Sequence, residues 1–95
     1  MNFDWDPKKA AANIKNHDGV TFEEAETVFG DPIAAVFLDE DHSWDEKREI
    51  IIGYSSKQRL LIVCFTERED QIRIITARRA ESDERRKHED ESNRR

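Results

Sequence analysis

Apolar positions along this chain recur with a helical spacing over its first third and with a strand spacing afterwards. Asp6 followed by Pro7 opens a helix: an acceptor at the N-cap, then proline where a missing N–H costs nothing. That helix is expected to reach about Asn16 and to stop at Asp18-Gly19. Thr21-Phe22-Glu23-Glu24 reads as a capping box, with Val20 as the staple. The helix behind it carries Phe22, Ala25, Val28 and Phe29 on one face and ends at Gly30-Asp31-Pro32. Four β-branched, strand-length runs follow: Ala34 to Leu38, Arg48 to Tyr54, Arg59 to Thr66, and Gln71 to Ala77. Residues 55–58 and 67–70 are hairpin-length links, so the last three strands should form an antiparallel meander.

Strict alternation on the last strand places Ile72, Ile74, Thr76 and Arg78 on one face, and Arg73, Ile75, Ala77 and Arg79 on the other. Apolar residues on both faces imply that both are covered. The N-terminal helices serve one side, and the C-terminal segment or a partner protein the other. Ser82 is a suitable N-cap for a last helix, with Asp83 and Glu84 in its first turn and Arg85, Arg86 and Lys87 beyond, in accord with the helix dipole. This helix has no apolar stripe, and residues 90–95 read as a frayed tail. The expected fold is α+β: two N-terminal helices, a mainly antiparallel four-stranded sheet and one C-terminal helix, in a single domain over residues 1–89.

Composition narrows the functional classes. Charged residues make up 40% of the 95 positions and the net charge is −6. Residues 1–40 hold three lysines against nine carboxylates, which accounts for that whole −6, so residues 41–95 are balanced. General affinity for nucleic acid is therefore not expected, and any phosphate must be met at a local basic site. The acidic front would instead attract a basic partner. Leu60 to Phe65, the longest apolar run, is strand-sized, and the first residues lack the basic and apolar segments of a secretory signal. The single Cys64 lies in that run and fits a reduced core residue of a cytoplasmic protein. Gly19, Gly30 and Gly53 are the only glycines, and no Gly-rich phosphate loop, cysteine pair or Gly-x-Ser-x-Gly elbow occurs. Nucleotide-cofactor enzymes and serine hydrolases are therefore not expected, nor is a cofactor. His42, in the polar loop Asp39-Glu40-Asp41-His42, fits no EF-hand or His-Glu-x-x-His spacing, so no metal is assigned.

Arg78 and Arg79 close a β-branched strand just before a charged helix, where sheet hydrogen bonds hold their guanidinium groups in place. They suit phosphate; they also suit pairing with Glu81, Asp83 or Glu84. Arg73 sits in mid-strand and, by parity, joins Arg79 as the stronger cluster. Arg48 opens a strand beside Glu46 and Glu49, where a salt bridge is the competing role.

Several stretches occur in a fixed order: Phe3-Asp4-Trp5-Asp6 with a Lys/Ala/Asn helix, a His-Gly-Val-Thr-Phe-Glu-Glu-Ala-like segment, and Val28-Phe29-x-Asp31-Pro32. Glu46-x-Arg48, Gly53 and Ile72-Arg73-Ile74-Ile75-Thr76-Ala77-Arg78-Arg79-Ala80 complete the series. Over about residues 2–89 the chain resembles the BrnT family, the toxin half of bacterial type II toxin–antitoxin pairs. It departs at Asn16-His17-Asp18-Gly19-Val20, where the family usually reads Lys-His-Gly-Val; Asp18 lengthens the turn and sets a carboxylate beside His17.

The resemblance implies a fold like that of RelE, metal-independent cleavage of mRNA, and neutralisation by an antitoxin resembling BrnA with a DNA-binding ribbon-helix-helix domain. Such cleavage needs a base at the 2′-hydroxyl, cations at phosphorus and an acid at the 5′-oxygen. Arg48, Arg73, Arg78 and Arg79 are the candidates for phosphate, and His17 or a nearby carboxylate for proton transfer. Lys9 and Lys15 are further RNA-binding candidates, with Trp44 and Tyr54 as stacking surfaces. The alternative is a non-catalytic binding module or co-repressor that keeps the toxin fold. Either way, apolar sheet faces predict self-association of the free protein.

Overall fold

The computed structural model describes residues 1–93. Helix α1 (Pro7–Asn16) begins where Asp6 accepts a hydrogen bond from the Lys8 N–H at 2.8 Å. Helix α2 (Phe22–Thr27) begins at Thr21, whose hydroxyl accepts from the Glu24 N–H at 3.0 Å, and runs on into a 3-10 turn at Val28–Gly30. Only half of the expected capping box forms. The Glu24 carboxylate turns inward to Ser55 and Arg59, because a guanidinium and a hydroxyl are stronger partners than one backbone amide.

The sheet has five strands, not four, in the order β1-β5-β4-β3-β2. These are β1 (Asn2–Asp4), β2 (Ala35–Leu38), β3 (Glu49–Tyr54), β4 (Leu60–Arg68) and β5 (Gln71–Arg79). Strands β2 to β5 are antiparallel neighbours, as the hairpin-length links require for β3 to β5. Strand β1 lies parallel to β5, with Phe3 opposite Ile72. Three residues carry too little alternation to announce a strand, and a parallel partner 69 positions away leaves no local signal.

Register corrects the expected faces of β5. Cys64 pairs with Thr76 but Phe65 pairs with Ile74, so Ile75 is an extra residue in a β-bulge. Ile72, Ile74 and Ala77 therefore all enter the core, spaced by two and then by three. Arg73 and Arg79 end on opposite faces, and Arg73 shares its face with Arg78 instead. A slip of one residue inverts every side chain beyond it.

Helices α1 and α2 cover the first face, where Val20, Phe22, Ala25 and Val28 meet Ile51, Leu61, Val63 and Phe65. Phe29 sits edge-on to both Phe3 and Phe65, at centroid distances of 5.1 and 5.0 Å. Helix α3 (Ser82–Asn93) meets the sheet at Tyr54, against which His88 is buried. The tail expected from residue 90 is helical as far as Asn93; positions 94 and 95 lie outside the described residues. Among the described residues no helix is long and apolar enough to cross a membrane.

Candidate functional site

Three chain ends meet around the last residues of β5. Helix α1 stops at His17, whose N–H still bonds the Asn13 carbonyl at 2.9 Å, and Asp18 and Gly19 then turn the chain with φ of 54° and 73°. Buried Asn13 ties this corner to the sheet. Its amide donates to the carbonyls of Val20 and Ala77, at 2.9 and 2.8 Å, and its oxygen accepts from the Ala77 N–H at 3.1 Å. Glu84 fastens the third end by accepting from the Glu81 N–H and from both terminal nitrogens of Arg78, at 2.8–2.9 Å. The Arg78 guanidinium, chiefly, holds the Glu84 carboxyl down at about 2.

The result is a groove of about 760 Å³ between α1, the end of β5 and α3, bordered by His17, Arg78, Arg79, Arg85, Arg86 and Glu89. Arg79, Arg85 and Arg86 are exposed and have no ion-pair partner among the described residues, so three guanidinium groups face solvent together. Their nearness concentrates positive charge in an otherwise acidic chain. Of the residues singled out in the sequence, Arg78, Arg79 and His17 line this groove, together with Arg85 and Arg86, which read there only as complements to the helix dipole. Only the packing of α3 against the end of β5 turns them into the same groove.

Arg78 also borders a second hollow, of about 230 Å³, on the uncovered part of the second sheet face. Ile50, Ile62 and Cys64 floor it, and Arg48, Asp39 and His42 rim it. The two Asp39 oxygens lie 3.1 and 3.0 Å from His42 Nδ1, and the Cys64 thiol donates to Asp39 at 3.7 Å. Burial, assisted by Asp39, pushes the Cys64 thiol up to about 11, so it is no nucleophile at neutral pH. Arg48 Nε is buried without a hydrogen-bond partner. In the sequence the Asp39–His42 pairing carries no signal, because an aspartate three positions before a histidine in a polar loop is common and matches no metal spacing.

The remaining candidates divide. Arg73 pairs with Asp4 of β1 at 3.0 Å and stands away from both hollows. Lys9 borders a small pocket with His17 and Thr76, while Lys15 lines neither hollow. Trp44 is 83% exposed beside His42, its indole N–H bonded to the Asp41 carbonyl at 2.9 Å. Tyr54 is held against His88, with its hydroxyl 3.4 Å from Glu89, and is no open stacking surface. Among the described residues no three His, Cys, Asp or Glu side chains group closely enough to hold a metal ion.

A family model described as the ribonuclease toxin, BrnT, of type II toxin–antitoxin systems matches residues 5–84. The chain belongs to the BrnT family. Among solved structures it is similar to the crystal structure of the Brucella abortus ribonuclease toxin, BrnT, with 26% identity and a TM-score of 0.67. That match covers 86% of this chain and 99% of the Brucella chain. A search of curated proteins gives no match. A BrnT toxin of a type II system has an antitoxin partner. The matched segment contains Asp39, His42, Arg48, Arg78 and Arg79, whereas Arg85 and Arg86 follow it immediately.

Proposed function

We propose that this protein is a metal-independent endoribonuclease that cleaves mRNA in the cytoplasm and is silenced by an antitoxin resembling BrnA, with a ribbon-helix-helix domain. The observation that carries the proposal is the groove at the end of β5, where Arg79, Arg85 and Arg86 are unpaired among the described residues and Arg78 is held in place by Glu84. Guanidinium forks bind two phosphate oxygens at once and stabilise the charge that builds on phosphorus during transesterification. Family membership supplies the reaction class. Purified protein free of partner, incubated with RNA in excess EDTA, is expected to cleave it, and Arg79→Ala and Arg86→Ala to slow cleavage and weaken binding. Each should lower the salt dependence of binding by about one counterion. RNA left intact under all conditions would remove the proposal.

The antitoxin's seat is supported by β2. This four-residue strand is an edge of the sheet, and Val36, Phe37 and Leu38 are about half exposed, at 52%, 46% and 49%. Exposed apolar residues on both faces of an open edge invite another chain. Asp31, Asp39, Glu40 and Asp41 flank it in sequence, which favours a basic segment. Without a partner the same edge should drive self-association, and sedimentation of the free protein over a range of concentrations tests this.

The second reading is a binding module that keeps the toxin fold. It is favoured by the ion pairs that occupy Arg73 and Arg78 and by a His17 ring without a hydrogen-bond partner among the described residues. Expression without any partner separates the two: a toxin arrests growth and Arg79→Ala relieves the arrest, whereas a module is harmless.

A further inference from the structure

Transesterification of RNA needs a group that removes the proton of the 2′-hydroxyl, and three histidines are present: His17, His42 and His88. His88 is buried beneath Tyr54. His17 borders the arginine groove, but nothing among the described residues orients its ring. His42 differs. Both oxygens of Asp39 lie within 3.1 Å of its Nδ1, and the Asp39 side chain is itself nearly buried, at 11% exposure. Asp39 is fixed in turn: its N–H bonds the Arg48 carbonyl at 2.8 Å and its own carbonyl accepts from the Ser43 hydroxyl. A carboxylate only accepts, so the neutral ring carries its proton on Nδ1 and presents the lone pair of Nε2 outward. The ring is 61% exposed, at the rim of the hollow that holds Arg48 and Arg78.

We propose that His42, oriented by Asp39, is the proton-transfer group of this toxin, and that the scissile phosphate lies in the hollow on the open sheet face against Arg48 and Arg78. The proposal rests on the ribonuclease reading above. Arg78 borders both hollows, so an RNA strand held in the arginine groove passes directly to His42. The buried, unpartnered Nε of Arg48 is a donor still lacking an acceptor, which a phosphate oxygen would supply. In the reaction Nε2 takes the 2′-hydroxyl proton while the 2′-oxygen bonds to phosphorus. The bond from phosphorus to the 5′-oxygen breaks, giving a 2′,3′-cyclic phosphate. The 5′-oxygen leaves with a proton from water, and the imidazolium neutralises the hydroxide that remains.

Groups facing His42 are Asp39 on its own loop, Asp45 and Glu46 beyond Trp44, Arg48 just before β3, Cys64 of β4 and Arg78 of β5. Carboxyl and guanidinium groups ordinarily titrate outside the range between about pH 5 and 8, and the Cys64 thiol is pushed up to about 11.

The test compares the full chain with His42→Gln, His42→Ala, Asp39→Asn and His17→Gln. Cleavage of an end-labelled oligoribonucleotide is followed across pH, and binding is measured with the uncleavable 2′-deoxy analogue. His42→Gln should lose about 10²–10⁴-fold in cleavage rate with analogue binding unchanged. The dependence of rate on pH should change with it, and free imidazole should restore His42→Ala. Asp39→Asn should slow cleavage and alter the pH profile without weakening binding, because an amide can hold the ring in the wrong tautomer. His42→Gln cleaving like the original chain while His17→Gln is inactive would overturn the inference and leave the ribonuclease reading standing. No cleavage by the unaltered chain at any pH would overturn both.

Discussion

Asn13 takes the place of a strand beside the end of β5. Strand β1 pairs only with residues 71–73 of β5, so farther along that side the backbone needs another partner, and the Asn13 amide serves both polar groups of Ala77. Replacing it by leucine keeps the branched shape but strands the Ala77 N–H, the Ala77 carbonyl and the Val20 carbonyl, at residues that are fully buried. Three stranded groups at about 1–3 kcal/mol each, offset by about 2 kcal/mol of apolar gain, leave a net loss of about 1–7 kcal/mol, centred near 4. Against a total stability of about 5–15 kcal/mol this is severe, and the Tm should fall by on the order of 20 °C. Urea unfolding followed by circular dichroism measures the loss, and hydrogen exchange at the Ala77 amide locates it. Asn13→Asp should be worse than Asn13→Leu, because it aims a carboxylate at two carbonyl oxygens. A loss below about 1 kcal/mol, or an aspartate variant more stable than the leucine one, would refute this account of the corner.

Gly53→Ala should destabilise by about 1–3 kcal/mol, since its Cβ would lie 2.9 Å from the Ala34 Cβ and 3.0 Å from Val28 Cγ1; thermal melting reads the cost. Glu24→Gln should cost about 2–3 kcal/mol, toward the low end for a broken buried pair because Arg59 remains partly exposed. The hydrogen-bonded Arg59 guanidinium holds the Glu24 carboxyl below its ordinary 4.5 in the folded state, so its contribution is full above that value and is lost as pH falls through the folded one. The gap between the two proteins in unfolding free energy should therefore close in acid, and a gap that widens would contradict the sign. Iodoacetamide should label Cys64 in the folded protein far more slowly at pH 8 than in urea, because the thiol is pushed up to about 11. Phe37→Lys should suppress self-association of the free protein, measured by sedimentation, while leaving its unfolding free energy nearly unchanged.

Residues whose partners lie close in sequence were legible from the chain alone. Asp6-Pro7 and Thr21 open their helices because a cap is satisfied two or three positions away. The hairpins from β3 to β5 follow from links too short for any other connection. The arginines at the end of β5 stood out because a strand ending in two cations before an acidic helix start is a local pattern. Distance in the chain hid the rest. Strand β1 needed β5 to exist, and Glu24 left its capping role for Arg59, 35 positions on. One bulge at Ile75 moved Arg73 away from Arg79, since parity counts residues and a bulge adds one without changing composition. The two hollows are likewise products of packing: α3 turns Arg85 and Arg86 toward His17, and the loop after β2 folds Asp39 and His42 over Arg48 and Cys64. Local rules thus determine which residues form helices and strands, while only the tertiary structure decides which charges share a surface, because that depends on register and on contacts between segments the sequence keeps apart.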